Sequence, residues 1–433
     1  MDHPRGHAHE GCGLSGCGGD GVDAWIRDQI AADLYRGRTR DRLERAEALD
    51  RDALERRLDA RGRARRTLLR AGAWTGLLTA AGALFSSVAR ADPRRGGSPL
   101  FPPSGGGKAH VVESTKQTVH LGVLDATLPP ILEIDSGDEI VYPNTWSHFL
   151  GELQPGVPIQ RLADLRVANP GKGPHSIIGP VAVKGAEPGD LLEIQFLEVA
   201  PVGWAANFNN PGSLGTGALP DLFPDGQVKY VKLDLGAMTT QFSPAIRLRL
   251  EPFQGTFGVA APDGFMGSTT RVVSSVPPGP HGGNMDLREM GKGSRLFVPV
   301  WQPGALIFTG DSHALQGDGE VNLTALETAM REVRVRVVLH RRAGWAWPFV
   351  ETPTHWIATG MDKDLNMAQR IAVVNAIDFL SRRAGLSRLD AYALCSVAVS
   401  FRVTQVVDVN KGVHAMIPKE IFDPKARKTI AIV

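Results

Sequence analysis

The chain has 433 residues, 42% hydrophobic and 22% charged, and its 48 Lys and Arg against 46 Asp and Glu give a formal charge of +2. This composition is that of a globular protein with one large or two fused domains. The near balance of charge argues against nucleic acid as a partner. Gly and Pro, at 49 and 30 residues, are frequent, which suits many turns and short strands.

The first 91 residues are predicted to be a leader. Arg65 and Arg66 precede an apolar run over residues 71–89, and the run ends in Ala89-Arg90-Ala91. A paired Arg, a weakly hydrophobic segment and an A-x-A cleavage site are typical of a twin-arginine export signal, which predicts a periplasmic or secreted protein. A retained membrane helix is the alternative, because the run is just long enough to span a bilayer. Its Gly, Thr and Ser dilute it, so we expect no stable anchoring after cleavage.

The leader also holds two of the three cysteines. They lie near three histidines, in a set that we interpret as a disordered tail rather than a metal site: His3, His7, His9, Cys12 and Cys17. The exported protein would keep Cys395 alone and could form no internal disulfide.

A Pro/Gly/Ser-rich linker is predicted over residues 92–109 and a β-rich metal-binding core over 110–345. Short apolar runs in the core alternate with polar residues and are separated by Gly, Pro, Asn and Asp. This pattern indicates antiparallel strands in a sandwich or barrel. Strands are predicted at 131–134, 139–142, 181–183, 191–196, 257–260, 295–299, 305–309 and 331–340.

Two histidines stand out in the first half of the core. His148 and His175 lie in loops near predicted strand ends. We predict that both line a substrate pocket, and an ordinary surface or core histidine is the alternative for each.

Segments 280–286 and 310–320 carry the densest polar chemistry. They hold imidazoles, carboxylates and amides among glycines, which let the backbone turn tightly so that side chains converge. Imidazole and carboxylate are the usual ligands of zinc and similar divalent ions. We therefore predict a metal site with these ligands: His281, Asp286, Asp311 and His313. Asp311 and His313, two residues apart, share a face only in an extended strand.

Side-chain nucleophiles have no good candidate, since the G-x-S-x-G, H-E-x-x-H and phosphate-loop signatures are absent. Water activated by a divalent ion remains, because such an ion lowers the pKa of bound water to roughly 7. Glu320 is predicted to be the general base, with Asp318 beside it. Asn284 and Gln316 are predicted to orient ligands or bind substrate. Turn formation is the alternative for Asn284 and Asp318.

Residues 346–433 change character. One face of a helix predicted over 365–383 carries Met367, Ile371, Val374, Ile377 and Leu380, and Gly385 is expected to end it. A second helix over 389–400, with Cys395 in its apolar context, and a strand over 403–409 complete a smaller α/β part. The predicted fold class is thus mainly β, with a sandwich- or barrel-like core and a smaller C-terminal α/β part.

Taken in order, these motifs resemble those of the acetamidase/formamidase family over about residues 119–422. Further matching pieces are residues 179–181, 185–190, 296–300 and 413–419. The resemblance implies hydrolysis of small aliphatic amides, such as formamide or acetamide, to ammonia and a carboxylate. It also implies a mainly β fold with an α/β part, a divalent metal (zinc, with calcium as the alternative) and a homo-oligomer. The chain departs from the family pattern at Ser400, where that pattern has an acid.

Two other functions fit the same residues. One is a non-catalytic, metal-containing protein that binds a small amide, and the other is a hydrolase of a different C–N bond, such as that of a cyclic imide. Replacing Glu320 with Gln separates an enzyme from a binding protein, because only the enzyme would lose turnover.

Overall fold

The computed structural model describes residues 106–214 and 216–433. The predicted leader over 1–91, with its export signal and its His- and Cys-rich start, lies outside these residues, as does most of the 92–109 linker. Within the described residues, no helix combines the length and the apolar character needed to cross a bilayer.

Strands dominate the described part of the chain, which confirms the predicted fold class. They are β1 (Ala109–Val111), β2 (Val119–Leu121), β3 (Val123–Asp125), β4 (Leu132–Ile134), β5 (Glu139–Pro143), β6 (Ser176–Val183), β7 (Leu191–Pro201), β8 (Trp204–Asn209), β9 (Gln227–Asp234), β10 (Thr239–Ser243), β11 (Ile246–Arg249), β12 (Phe253–Gly258), β13 (Val272–Ser274), β14 (Gly282–Asn284), β15 (Arg295–Pro299), β16 (Ile307–His313), β17 (Glu327–Thr328), β18 (Met330–His340), β19 (Phe349–Glu351), β20 (His355–Asp362), β21 (Ser400–Gln405) and β22 (Lys411–Pro418). The α-helices are α1 (Ile159–Ala168), α2 (Leu365–Ala384), α3 (Arg388–Ala398) and α4 (Pro424–Thr429). Short 3-10 turns cover Gly212–Leu214, Phe265–Gly267 and Lys419–Ile421.

Two large sheets are built from these strands. The first has the order β1-β5-β18-β7-β15-β19-β20-β22-β21. The second runs β11-β10-β9-β8-β17-β16-β12-β14, with β6 also paired to β16 and carrying β2 and β4. Neighbours are antiparallel except in the pairs β1–β5 and β4–β6, which are parallel.

The two sheets meet through aromatic packing. Phe196 of β7 contacts Phe257 of β12 edge-on, with ring centroids 5.4 Å apart, and both rings are fully buried. Strands β6 and β16 are buried along their whole length. Because β16 ends in Gly-Asp-Ser-His, this burial places two ionisable side chains, Asp311 and His313, inside the protein rather than on its surface.

The C-terminal helices cover one end of the first sheet. Helix α2 packs on β20 and β22; Asp364 caps its start by accepting a hydrogen bond from the Met367 amide, and Gly385, at φ 72°, ends it as predicted. Cys395 of α3 is buried in the same apolar core, which confirms its prediction as a core residue.

Several elements differ from the sequence prediction. The strand predicted over 403–409 is β21, which begins at Ser400 and ends at Gln405 because residues 406–409 turn away to line a cavity. Helix α1 and the hairpins of β8 to β11 were not predicted. The predicted β-rich core ends at residue 345, but the first sheet includes strands on both sides of that residue, because β19 to β22 continue it beyond β15.

Candidate metal centre

A cavity of about 250 Å³ lies at the carboxyl end of β16. One side of it is formed by ionisable residues from segments far apart in sequence, and we call this set the acid–imidazole cluster: His148, His175, Asp286, Asp311, His313, Glu320, Glu327 and Asp408. All eight side chains are buried.

Strand β16 supplies the centre of the cluster. Asp311 and His313 lie two residues apart at its end, and Asp311 Oδ1 lies 3.1 Å from His313 Nε2. Strand β17 pairs Glu327 directly opposite His313, so that Glu327 Oε2 also lies 3.1 Å from His313 Nε2. A single imidazole is thus held between two carboxylates.

Residues of β12 and β14, and one after β16, fix the position of Asp286. Asn284 Nδ2 donates to Asp286 Oδ2 at 2.9 Å, and Asn284 Oδ1 accepts a hydrogen bond from the Thr256 hydroxyl. Gln316 Nε2 donates to the Asp286 carbonyl oxygen at 2.8 Å. Asn284 lines the cavity, whereas Gln316 does not. Gln316 therefore orients Asp286, which is one of the two roles predicted for it.

The loops after β5 and before β6 bring in two imidazoles. The rings of His148 and His175 are nearly perpendicular, with centroids 5.2 Å apart. His148 Nε2 lies 3.6 Å from Asp311 Oδ1 and 3.5 Å from Glu327 Oε2. His175 Nδ1 is hydrogen-bonded to the Ser275 hydroxyl at 2.8 Å. Both histidines line the cavity as predicted, but they lie close enough to Asp311 to act as ligands.

Gly255 of β12 makes the close approach of these groups possible. A Cβ atom there would lie 2.4 Å from both Asp286 Oδ1 and Asp311 Oδ2, and 2.7 Å from His313 Cε1. Those separations are far inside van der Waals contact, so no larger residue fits without moving the cluster.

Three acids of the cluster have a strained backbone. Asp286, Asp311 and Glu320 have φ angles of 49°, 56° and 45°. The left-handed region is uncommon for residues other than glycine, and such strain concentrates at functional sites. The surrounding sheet therefore holds these carboxylates in positions that the backbone alone would not favour.

The cluster has the donors that a cation needs. Three groups each place their ligand atoms within 4.8 Å of one another: His148–His175–Asp311, Asp286–His313–Glu320 and Asp311–His313–Glu327. One oxygen each of Asp286 and Glu320, and Nδ1 of His313, are buried without a hydrogen-bond partner. Buried polar atoms are normally satisfied, so these atoms fit a site for a divalent cation.

Charge in the cluster is poorly balanced. Among the described residues, no Lys or Arg pairs with any of its five acids. Burial, and then the charge of Asp311, raise the pKa of Asp286 to about 8. Burial, and then Asp286, likewise raise the pKa of Glu320 well above its usual range. Burial acts in the same direction on Asp311, but the charges of His313 and His175 outweigh it and hold that pKa well below its usual value.

Two predicted site residues lie elsewhere. His281 is buried but does not line the cavity, and its ring packs against Phe265 with centroids 4.6 Å apart. The left-handed Gly282 and Gly283, with φ of 76° and 75°, turn the chain between His281 and Asp286. Asp318 is 31% exposed and lies 3.0 Å from Arg288 Nε, outside the cavity lining. Neither residue lines this cavity or belongs to a group of candidate ligand atoms in it.

Two members of the acid–imidazole cluster, Glu327 and Asp408, are not among the site residues predicted from the sequence. Glu327 is the lone acid in the buried segment Ala325-Leu326-Glu327-Thr328-Ala329, and an isolated acid in an apolar run was a usable signal. Asp408 follows two valines in a stretch that resembles a strand, and nothing there distinguished it. Ser400, where the family pattern has an acid, is exposed and lies outside the cavity lining.

The fold and the site together define a mostly β protein with a buried set of imidazoles and carboxylates suited to a divalent cation. The chain belongs to the Acetamidase/Formamidase family, whose model matches residues 127–271 and 268–424. An acetamidase of Mycolicibacterium smegmatis is 29% identical over 34% of this chain, and a formamidase of Methylophilus methylotrophus is 26% identical over 58% of it. The matches span 49% and 77% of those relatives' own lengths.

A solved structure agrees in fold. An acetamidase from Bacillus halodurans superposes with a TM-score of 0.63 at 27% identity, covering 72% of this chain and 99% of the other. These relatives support an amidohydrolase acting on linear amides, and they confirm the family that the sequence motifs resemble.

Proposed function

We propose that this protein hydrolyses small linear amides to ammonia and a carboxylate with the help of a divalent cation, zinc first and calcium as the alternative. The observation that carries the proposal is the acid–imidazole cluster, which is buried, short of positive charge and set in a chain of the acetamidase/formamidase family. Uncompensated carboxylates inside a protein are costly unless a cation neutralises them.

The proposed ligands are His148, His175 and Asp311. Two imidazoles and a carboxylate with an open position are the usual ligands of a catalytic zinc ion. When bound, such an ion lowers the pKa of water and polarises the amide oxygen. Asp311 keeps its predicted role, while His148 and His175 take the place that was predicted for His281.

Proton transfer is assigned to Glu320, which belongs to the neighbouring group Asp286–His313–Glu320. Glu320 lines the cavity with one oxygen free of hydrogen bonds, so that oxygen is available to accept a proton as a general base does. It takes a proton from the attacking water as the water oxygen bonds to the carbonyl carbon. The proton then passes to the nitrogen as the C–N bond breaks and ammonia leaves. Asp286 and His313 have ligand atoms within 4.8 Å of that of Glu320, so all three border the same part of the cavity.

Metal content and ammonia release test the proposal together. We expect the purified protein to contain a divalent metal, to release ammonia from formamide, acetamide or propionamide, and to lose that activity with a chelator. His175→Ala should lose the metal, whereas the matched variant His281→Ala should keep it. Full activity after complete metal removal would contradict metal dependence.

Glu320→Gln separates catalysis from binding. An enzyme should keep its metal and lose turnover, because the amide side chain cannot accept the proton. A non-catalytic binding protein would show no turnover in the wild type and little response to the substitution. A cyclic imide included in the same substrate panel tests the alternative that the enzyme hydrolyses the C–N bond of cyclic imides.

The leader and the family support two further parts of the proposal. The twin-arginine signal predicted before residue 91 supports a proposed location in the periplasm or outside the cell, and the family resemblance supports a proposed homo-oligomer. Cell fractionation and light scattering of the purified protein measure each, and a cytoplasmic or monomeric protein would contradict them.

A further inference from the structure

The cavity is larger than the smallest amides require. Its volume of about 250 Å³ equals that of about eight waters at about 30 Å³ each. Formamide and acetamide, with few heavy atoms, would leave much of this space unused. Away from the cluster the wall is mixed: Asn210, Thr216 and Thr324 line it together with an apolar part formed by Phe149, Phe208, Val276, Leu323 and Val407. An aliphatic chain of several carbons fits that apolar part.

The positively charged side chain of Arg166 lines the same cavity. Arg166, in the last turn of α1, is half-buried and lines the cavity together with the cluster. Its Nη1 donates to the Lys172 carbonyl oxygen. No carboxylate of the described residues forms an ion pair with it, and burial lowers its pKa. A half-buried guanidinium without an acid partner has unused donors for an anion.

Arg166 also borders a second cavity. Arg166, Val276 and Val409 also line a neighbouring cavity of about 420 Å³. These three residues therefore form the boundary between the two spaces, whereas the acid–imidazole cluster belongs to the first space alone. A ligand with its amide at the cluster and its tail along the apolar wall can direct the tail's end to Arg166.

We infer that the preferred substrate is the monoamide of a short aliphatic dicarboxylic acid, with its amide at the acid–imidazole cluster and its free carboxylate bound by Arg166. This inference rests on the proposed function and narrows it to one substrate class. Hydrolysis transfers the water oxygen to the carbonyl carbon, breaks the C–N bond and releases ammonia. The products are the dicarboxylate and ammonium, and no further reactant is needed.

The test compares charged and neutral substrates on the metal-loaded full-length protein. The probes are the monoamides of succinic and glutaric acid, their methyl esters, and propionamide, with kcat/KM measured from ammonia release. We expect the charged monoamides to exceed their methyl esters by about tenfold to one-hundredfold, since a hydrogen bond to a charged group has that effect. Arg166→Ala should abolish this ratio. Arg166→Gln, which keeps much of the side-chain length and removes the charge, should do the same.

Arg161→Ala is the matched control. Arg161 is on the same helix but is exposed and pairs with Glu152 at 3.1 Å, so its loss should leave the ratio unchanged. A wild-type preference for the neutral esters, or an unchanged ratio in both Arg166 variants, would overturn the inference while the proposed function stands. Absence of turnover on every amide would overturn the proposed function itself.

Discussion

Glu193 and Asp286 are both buried carboxylates near the ends of strands, but their surroundings differ. Glu193 of β7 accepts hydrogen bonds from Gln195, Arg295 and His340 at 2.8–2.9 Å. We call this set, with Glu351 and Lys419, the Glu193 network. Burial opposes ionisation of Glu193, yet His340 and Arg295 outweigh it and lower its pKa to about 2.

Asp286 shows the opposite behaviour. Its neighbours are other acids, and its pKa is raised to about 8. In the Glu193 network, Arg295 bridges Glu193 and Glu351, and Lys419 adds a second cation to Glu351 at 2.6 Å. The comparison shows that burial alone does not distinguish structural from functional acids. What distinguishes them is whether the fold supplies the balancing charge.

Asp286→Asn gives the largest expected effect. We expect activity to fall by a hundredfold to a thousandfold, the range seen when one electrostatic contact at a reacting centre is removed. The metal-free variant should nevertheless be at least as stable as the metal-free wild type, because the buried Asp286 carboxyl must take up a proton on folding and the amide of Asn need not. Activity assays and chemical denaturation in chelator measure the two effects.

The sign of the pH dependence supports the same prediction. An acid whose folded pKa is raised stabilises the fold most at low pH, and that stability is lost as pH rises from about 4 through about 8. Metal-free wild type should therefore lose stability over this range more steeply than Asp286→Asn. Equal slopes would show that neither burial nor the charge of Asp311 raises the pKa of Asp286.

Gly255→Ala is expected to disturb the cluster through steric overlap and without any change of charge. The new methyl would need space occupied by Asp286, Asp311 and His313. A displacement near 1 Å at a reacting centre can cost about a hundredfold in rate. We expect a loss of that size, together with weaker metal retention.

Gly203→Ala is its control. No atom lies within 4 Å of the position where that Cβ would stand, so the variant should match wild type in rate and metal content. Full activity in Gly255→Ala would show that the cluster relaxes easily and does not depend on the close approach at β12.

The acid–imidazole cluster also shows which features could be predicted from the sequence. Asp311 and His313 were identifiable because a period of two on one strand is local information, and helix α2 with its glycine stop was identifiable for the same reason. The partnership of His313 with Glu327 is not local, because it depends on which strand pairs with β16. The meeting of His148 and His175 with Asp311 is not local either, because it depends on how the loops after β5 of the first sheet and before β6 of the second reach the end of β16.

His281 was predicted to be a metal ligand but lies outside the cavity lining, and the conformation of the backbone after it explains the difference. It stands beside Asn284 and Asp286 in sequence, and the two glycines between them suggested convergence. Those glycines adopt left-handed angles, which separate the imidazole from the carboxylate. Glycine permits both outcomes, so composition could not decide between them.

Glu193→Gln gives the smallest effect that should still be measurable, and it concerns stability alone. An acid with a depressed folded pKa contributes stability above its unfolded pKa, and this is lost as pH falls from about 4.5 through about 2. The shift corresponds to roughly 3 kcal/mol at neutral pH. We therefore expect Glu193→Gln to lower the free energy of unfolding by roughly 2–3 kcal/mol at pH 7, with the difference disappearing near pH 2.

Amidase activity should be unaffected, because Glu193 does not line the cavity. Glu198→Gln supplies the control on the same strand. Its partner Lys292 is exposed, and a pair of that kind contributes at most about 1 kcal/mol. If the two variants were equally stable at pH 7, the cations around Glu193 would not stabilise it, and the contrast with Asp286 would rest on the acid–imidazole cluster alone.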